Sequence, residues 1–183
     1  MTYAVQIDDE IEGTALKTIV LSGERLTLRP VTIEDASDDY LSWLNDPEVN
    51  RYSHRAGTTE TMSGLRAWLS EPTENLRLAI VLGDRHIGGI SLNSITDDSA
   101  ELAIMIGARD TWGHGYGTEA IQMLTDYGHN VMGLRRIWAQ SPNPAFNATM
   151  RRLGWLHEGT KHSALNGMDV ECWASVLADQ KKS

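Results

Sequence analysis

An α+β fold, with one mostly antiparallel mixed sheet and helices packed on it, is what three features of this sequence predict. Between Leu76 and Gly107, the runs "LRLAIVL", "HIGGISLN" and "AELAIMIG" are broken by "GDR" and "ITDDS", the pattern of a meander of hairpins. On both sides lie segments whose apolar residues recur at helical spacing. Near the C-terminus two more strand-like runs flank Asn166-Gly167, a dipeptide suited to a tight hairpin turn. At 183 residues the chain can bury a sizeable core as one domain, read as residues 21–183 after an N-terminal extension at residues 1–20.

Taken in order, residues 1–18 are acidic and weakly patterned, which suits an extension with little fixed structure. Alternation begins at "ERLTLRPV", a strand with Leu26 and Leu28 on one side and Arg25, Thr27 and Arg29 on the other. A helix is expected from Thr32, with Asp35 three residues on as in a capping box, apolar residues at Ala36, Tyr40, Trp43 and Leu44, and a stop at Asn45-Asp46-Pro47. A second helix, from Thr59 to Leu69, gathers Met62, Leu65, Trp68 and Leu69 on one face. After the meander, Ala120, Met123, Leu124, Tyr127 and Val131 mark a longer helix. "RRIWAQS" reads as a strand, and "PAFNATMRRLG" as a short helix with Pro144 in its first turn and Gly154 past its end. The last two strands lie near "WLHEGTKHS" and "DVECWASVL".

Composition excludes several functions. A formal net charge of −9 argues against a general nucleic-acid binder and mildly favours cationic or neutral partners. The single cysteine, Cys172, rules out an intrachain disulfide and a Cys-rich zinc site. The six histidines form no compact ligand pattern, so no metal is expected. No apolar run is long enough to span a membrane and no signal peptide opens the chain, so a cytoplasmic location is expected.

The stretch "DTWGHGYGTEAIQML" places Gly113, Gly115 and Gly117 at alternate positions before an amphipathic run. A strand, a glycine loop and then a helix bring free N–H groups and the positive end of a helix dipole to one point, an anion site. The Walker-type loop fails for want of a Lys followed by Ser or Thr. The dinucleotide fingerprint fails on its G-x-G-x-x-G spacing, and a kinase loop on the absence of H-R-D and D-F-G. A phosphate cradle and a merely flexible helix entry both remain open at this point.

Over residues 21–177 the sequence resembles the GNAT superfamily of acetyl-CoA-dependent N-acetyltransferases, in particular its RimJ/RimL-like branch. "ERLTLRPVTIEDASDDYLSWLNDPEV" is similar to that branch's opening strand and helix, "AELAIMIGARDTWGHGYGTEAIQML" to its coenzyme motif, and "NPAFNATMRRLGWLHEGT" to its second motif. The resemblance implies the GNAT fold, with a splayed strand pair holding coenzyme A, and acetyl transfer to an amine in a ternary complex. It implies that the glycine loop (Trp112, Gly113, His114, Gly115, Tyr116, Gly117 and Thr118) holds the pyrophosphate. The preceding strand would diverge from its neighbour at a bulge and offer the backbone of Ile104, Met105 and Ile106 to the pantetheine arm, with an Ile106 N–H as oxyanion donor. Asn143, which opens the second motif, and Asn147, one turn later, would also contact the coenzyme.

Acetyl transfer needs a base for the amine, and Glu101 matches a Glu often found at the start of that strand. An ordinary solvated strand residue is its other reading. Where family members place a protic Tyr or Ser, this chain has Met150 and Phe146, which have no proton to give. The acceptor, a protein N-terminus or a small amine, is expected near the loop "NRYSHRAGTT", with Tyr52, His54 and Arg55 as candidates, and His162 and Asp169 within reach from the last strands. An exposed edge strand makes a homodimer plausible for this fold. A coenzyme A-binding module with little turnover is the alternative that Met150 and Phe146 motivate.

Overall fold

The structure, a computed structural model, describes residues 4–8 and 18–177. Among the described residues, nine strands form one sheet in the order β1-β2-β3-β4-β5-β6-β7-β9-β8. They are β1 (Ala4–Asp8), β2 (Thr18–Ser22), β3 (Leu26–Pro30), β4 (Leu76–Leu82), β5 (Arg85–Asn93), β6 (Ser99–Ile106), β7 (Arg136–Ser141), β8 (Leu156–Leu165) and β9 (Met168–Val176). Every neighbouring pair runs antiparallel except β6 and β7, which are parallel. The helices are α1 (Asp38–Asn45), α2 (Pro47–Asn50), α3 (Met62–Ser70), α4 (Tyr116–Asn130) and α5 (Pro144–Arg152). None among the described residues is long and apolar enough to cross a membrane.

The two faces of the sheet are identified by what leans on them. Tyr40 and Trp43 of α1 lie over Gly89 and Gly107, where a Cβ on Gly107 would strike the indole ring. On the opposite face, Gly117 and Gly128 of α4 lie against Ile104, Ile106 and Ile137. Leu21, Leu28, Ile80, Ile87, Leu92, Leu124 and Ile137 are fully buried in this core, each contributing about 1.5–3 kcal/mol of apolar burial.

Three elements differ from the sequence expectation. The sheet starts before the boundary read at residue 20: β1 pairs with β2, and Ile19 is already in the core. The part of the supposed extension at residues 9–17 lies outside the described residues. The helix expected from Thr32 is a 3₁₀ turn at Ile33–Asp35 followed by α1, because Ser37 caps α1 by accepting from Tyr40 N–H. The expected capping box is present, Asp35 accepting from Thr32 N–H at 2.8 Å, and the same carboxylate also pairs with Arg29 and lies near His86. Finally, α1 does stop at Asn45, where Asn45-Asp46-Pro47 was expected to end it, but a further short helix follows at once, with Asp46 as its N-cap and Pro47 opening α2.

Candidate functional site

Strands β6 and β7 share only three register pairs, Ser99–Arg136, Ala100–Ile137 and Glu101–Trp138. Beyond them the two strands part, and the sheet opens into a V with Glu101 at its apex. Backbone phase decides what faces the gap. Gly107 N–H donates to the Ile87 carbonyl at 2.9 Å, and Arg136 N–H donates to the Asp98 carbonyl at 3.0 Å. With the β5–β6 register, these bonds turn the main-chain groups of odd-numbered β6 residues towards β5 and those of even-numbered ones towards β7.

Ile104 and Ile106 therefore present their backbone N–H groups to the gap. Met105 does not, which corrects the sequence expectation: it stands opposite Gly89 in the phase that pairs both residues' main chains. The expected bulge is absent from β6, whose pairing with β5 is regular; the register shift lies between β4 and β5, at Ile80/Val81. The Ile106 carbonyl accepts the Trp112 indole N–H at 2.9 Å, so the glycine loop is fastened to the end of β6.

A 3₁₀ turn at Arg109–Thr111 leads into that loop. Gly113 and Gly115 have φ of 80° and 82°, the left-handed region that favours glycine. Gly115 is the N-cap of α4, and no side chain caps the helix. The first helical bond runs from Glu119 N–H to the Gly115 carbonyl at 3.1 Å. The N–H groups of Tyr116, Gly117 and Thr118 are thus left for an outside acceptor. Gly117 plays another part: a Cβ there would stand 3.7 Å from Ile106 and 3.9 Å from Ile104, in ordinary contact. The first turn of α4 therefore packs on the side chains of the two β6 residues whose N–H groups face the gap.

The loop is also held from outside by a residue that sequence reading did not single out. Arg25, just before β3, donates from Nε to Glu119 at 2.7 Å and from Nη1 to the His114 carbonyl at 2.9 Å. Its guanidinium lies 4.8 Å from the centre of the Tyr116 ring, which stacks on the His114 imidazole. Buried Glu119 further accepts from the Arg25 and Leu26 N–H groups. Only the fold brings residues 25 and 119 together, so nothing in either motif advertises the contact.

The face of the V opposite α4 carries Glu101. Gln140 Nε2 reaches towards its carboxylate at 3.5 Å, and Lys161 Nζ donates to Gln140 Oε1 at 2.8 Å. This polar row across β6, β7 and β8 includes two residues the sequence did not mark, because it depends on strand order. The second motif divides. Asn143 caps α5, accepting from Ala145 N–H at 2.9 Å. Asn147 is not available to a ligand: it is 5% exposed, donates to the Ser141 carbonyl and accepts from the Trp173 indole. Met150 is fully buried, and Phe146 packs partly buried against the core.

Among the acceptor candidates, Arg55 pairs with Glu60, and Asn45 ties Glu60 to α1 through its main chain at 2.8 and 3.0 Å. Tyr52 lies under the Arg51 guanidinium and His54 is exposed. His162 and Asp169 do pair, at 3.0 Å, towards the turn end of the β8–β9 hairpin. Hydrogen bonds from Ser163 N–H and His162 hold the Asp169 carboxyl below its ordinary range. His162 is 81% exposed there on the sheet edge, with no contact to Glu101.

A family model described as an acetyltransferase (GNAT) domain matches residues 25–155. An uncharacterized N-acetyltransferase of Bacillus licheniformis, p20, is 35% identical over 126 residues, which cover 64% of this chain and 70% of that one. The spermidine N-acetyltransferase of Vibrio cholerae, solved with CoA and spermine, superposes with a TM-score of 0.74 at 22% identity over 84% of this chain and 96% of that one. An acetyl transferase of Salmonella typhimurium, which modifies the N-terminal serine of ribosomal protein L7/L12, superposes with a TM-score of 0.70 at 20% identity over 85% and 96%.

Proposed function

The chain belongs to the acetyltransferase (GNAT) family, and from that premise we propose that it moves an acetyl group from acetyl-CoA to a primary amine by direct attack, as a RimJ/RimL-like enzyme. One observation carries the reading: the uncapped N-terminus of α4 packs on the side chains of Ile104 and Ile106, the two residues whose backbone N–H groups face the gap. When bound, acetyl-CoA supplies the acetyl group activated as a thioester. The loop from Trp112 to Thr118 receives its pyrophosphate, the β6 backbone pairs with the pantetheine arm, and Asn143 borders it from α5. The Ile106 N–H donates to the carbonyl oxygen, where negative charge builds as the amine nitrogen bonds to the acetyl carbon and the C–S bond breaks. Glu101 accepts the proton the amine gives up, directly or through one water. Water protonates the leaving thiolate, since Met150 and Phe146 have no proton to offer.

The acceptor class rests on charge and on the structural neighbours. A cationic or neutral amine suits a chain of net charge −9. A polyamine and a protein N-terminus both meet that description, and the two structural neighbours act on one of each. The test is thiol release from acetyl-CoA with a panel containing spermidine, an N-terminal Ser peptide, an amino acid and an amino sugar. At least one amine is expected to drive release, and Glu101→Gln is expected to lower its kcat/KM by about 10²–10⁴-fold. Silence across the panel in a protein that still binds coenzyme A would make this a binding module. Near-wild-type turnover by the variant would remove Glu101 from the mechanism.

A further inference from the structure

We propose that Arg25 is a positioning residue for the coenzyme phosphates: its forked guanidinium holds the glycine loop in the one conformation that turns its N–H groups outward. The inference rests on the reading that this loop takes the pyrophosphate. The peptide between His114 and Gly115 is planar and trans, so its carbonyl and its N–H point in opposite directions. Arg25 Nη1 grips the His114 carbonyl at 2.9 Å and thereby aims the Gly115 N–H the other way. With glycines at φ of 80° and 82° on either side of His114, that peptide could flip at little steric cost without such a grip.

Charge gives a second reason for the contact. Glu119 lies in the first turn of α4, only 5% exposed, where its carboxylate would repel an anion drawn to the same helix end. Arg25 neutralises it through Nε at 2.7 Å, while Nη2 stands 3.7 Å from the Cβ position of Gly115. One side chain therefore cancels the unfavourable charge, fixes the peptide and brings its third nitrogen to the loop. A lysine could satisfy Glu119 or the carbonyl, but not both with that geometry.

Calorimetric titration of Arg25→Met with coenzyme A and with 3′-dephospho-coenzyme A is the test. Both ligands keep the pyrophosphate, so both affinities are expected to fall by the same factor, about 10- to 100-fold. In turnover the defect is expected in the KM for acetyl-CoA far more than in kcat, whereas a loosened fold lowers kcat as well. If Arg25→Met does not fold, Arg25→Lys carries the test, with a loss of about 10-fold expected for both ligands. Affinities within twofold of wild type in the folded variant overturn the role of Arg25 and leave the loop assignment standing. A loss confined to coenzyme A also overturns it, because the contact would then be to the 3′-phosphate. Wild-type protein that binds neither ligand overturns the loop assignment itself, and this inference with it.

Discussion

His86 is an imidazole held among aromatic rings, largely out of water. Its ring meets Tyr40 and Trp43 edge-on at 5.2 Å, and Nε2 lies 2.8 Å from the Gly88 carbonyl, to which it donates. Burial pushes the imidazole below its ordinary value, against a partial pull upward from Asp35, 3.7 Å from Nδ1. A depressed folded-state value means stability that is present above about pH 6.5 and lost as pH falls through the lower folded value. Asp35 has the same sign in a different window. Burial alone would raise its carboxyl, but the Arg29 hydrogen bonds, the Thr32 N–H and the nearby positive charge outweigh burial and hold it low. Its share is lost only in stronger acid. The melting temperature is therefore expected to fall in two stages on acidification, and His86→Gln, which keeps a donor for Gly88, should flatten the first stage alone. Parallel melting curves for the two proteins from pH 8 to 5 would exclude this account. Little of it was legible in the sequence, where His86 is one imidazole in a strand and Tyr40, Trp43 and Asp35 lie more than forty residues away.

Element by element, the glycine loop was the most legible part of the site, although its three glycines serve two different ends. Gly115 is needed for its positive φ at the N-cap of α4, whereas Gly117 is helical and a Cβ there would only meet Ile104 and Ile106 in ordinary contact. Their alanine variants should move stability in opposite directions. Gly115→Ala is expected to cost about 1–2 kcal/mol from left-handed strain. Gly117→Ala, helical and in ordinary contact, should be neutral or stabilising by up to about 1 kcal/mol. Denaturant titration measures both, and a loss at Gly117 as large as at Gly115 would show that the two positions share one constraint. Cap residues were legible only in part. Ser37 and Asp46 are ordinary N-cap types, yet the earlier Thr32-Asp35 pair and the Pro47 break suggested one helix where the chain makes a 3₁₀ turn and two helices. Local propensity permits either; in the fold Ser37 caps α1, and Asp35 is paired with Arg29 from the end of β3.

At the scale of the whole molecule, the meander and the Asn166-Gly167 hairpin were readable because each is local. The Asn147 role was not, since the Trp173 indole that claims its oxygen arrives from β9. The β7-β9-β8 order and the early start at β1 were likewise hidden, because they depend on pairings between distant or weakly patterned segments. The parting of β6 from β7 leaves six strands on one side and three on the other, joined by a seam of three register pairs. Beyond that seam the β6 backbone alternates between groups tied to β5 and groups facing the opening, and amide hydrogen exchange should print the alternation directly. In the free protein the amides of Ile104 and Ile106 should exchange orders of magnitude faster than those of Ala103 and Met105, a one-on, one-off pattern inside a single strand. Added coenzyme A, acting as a temporary strand, should erase it. Uniform protection along β6 in the free protein would mean that the two leaves are already closed on each other.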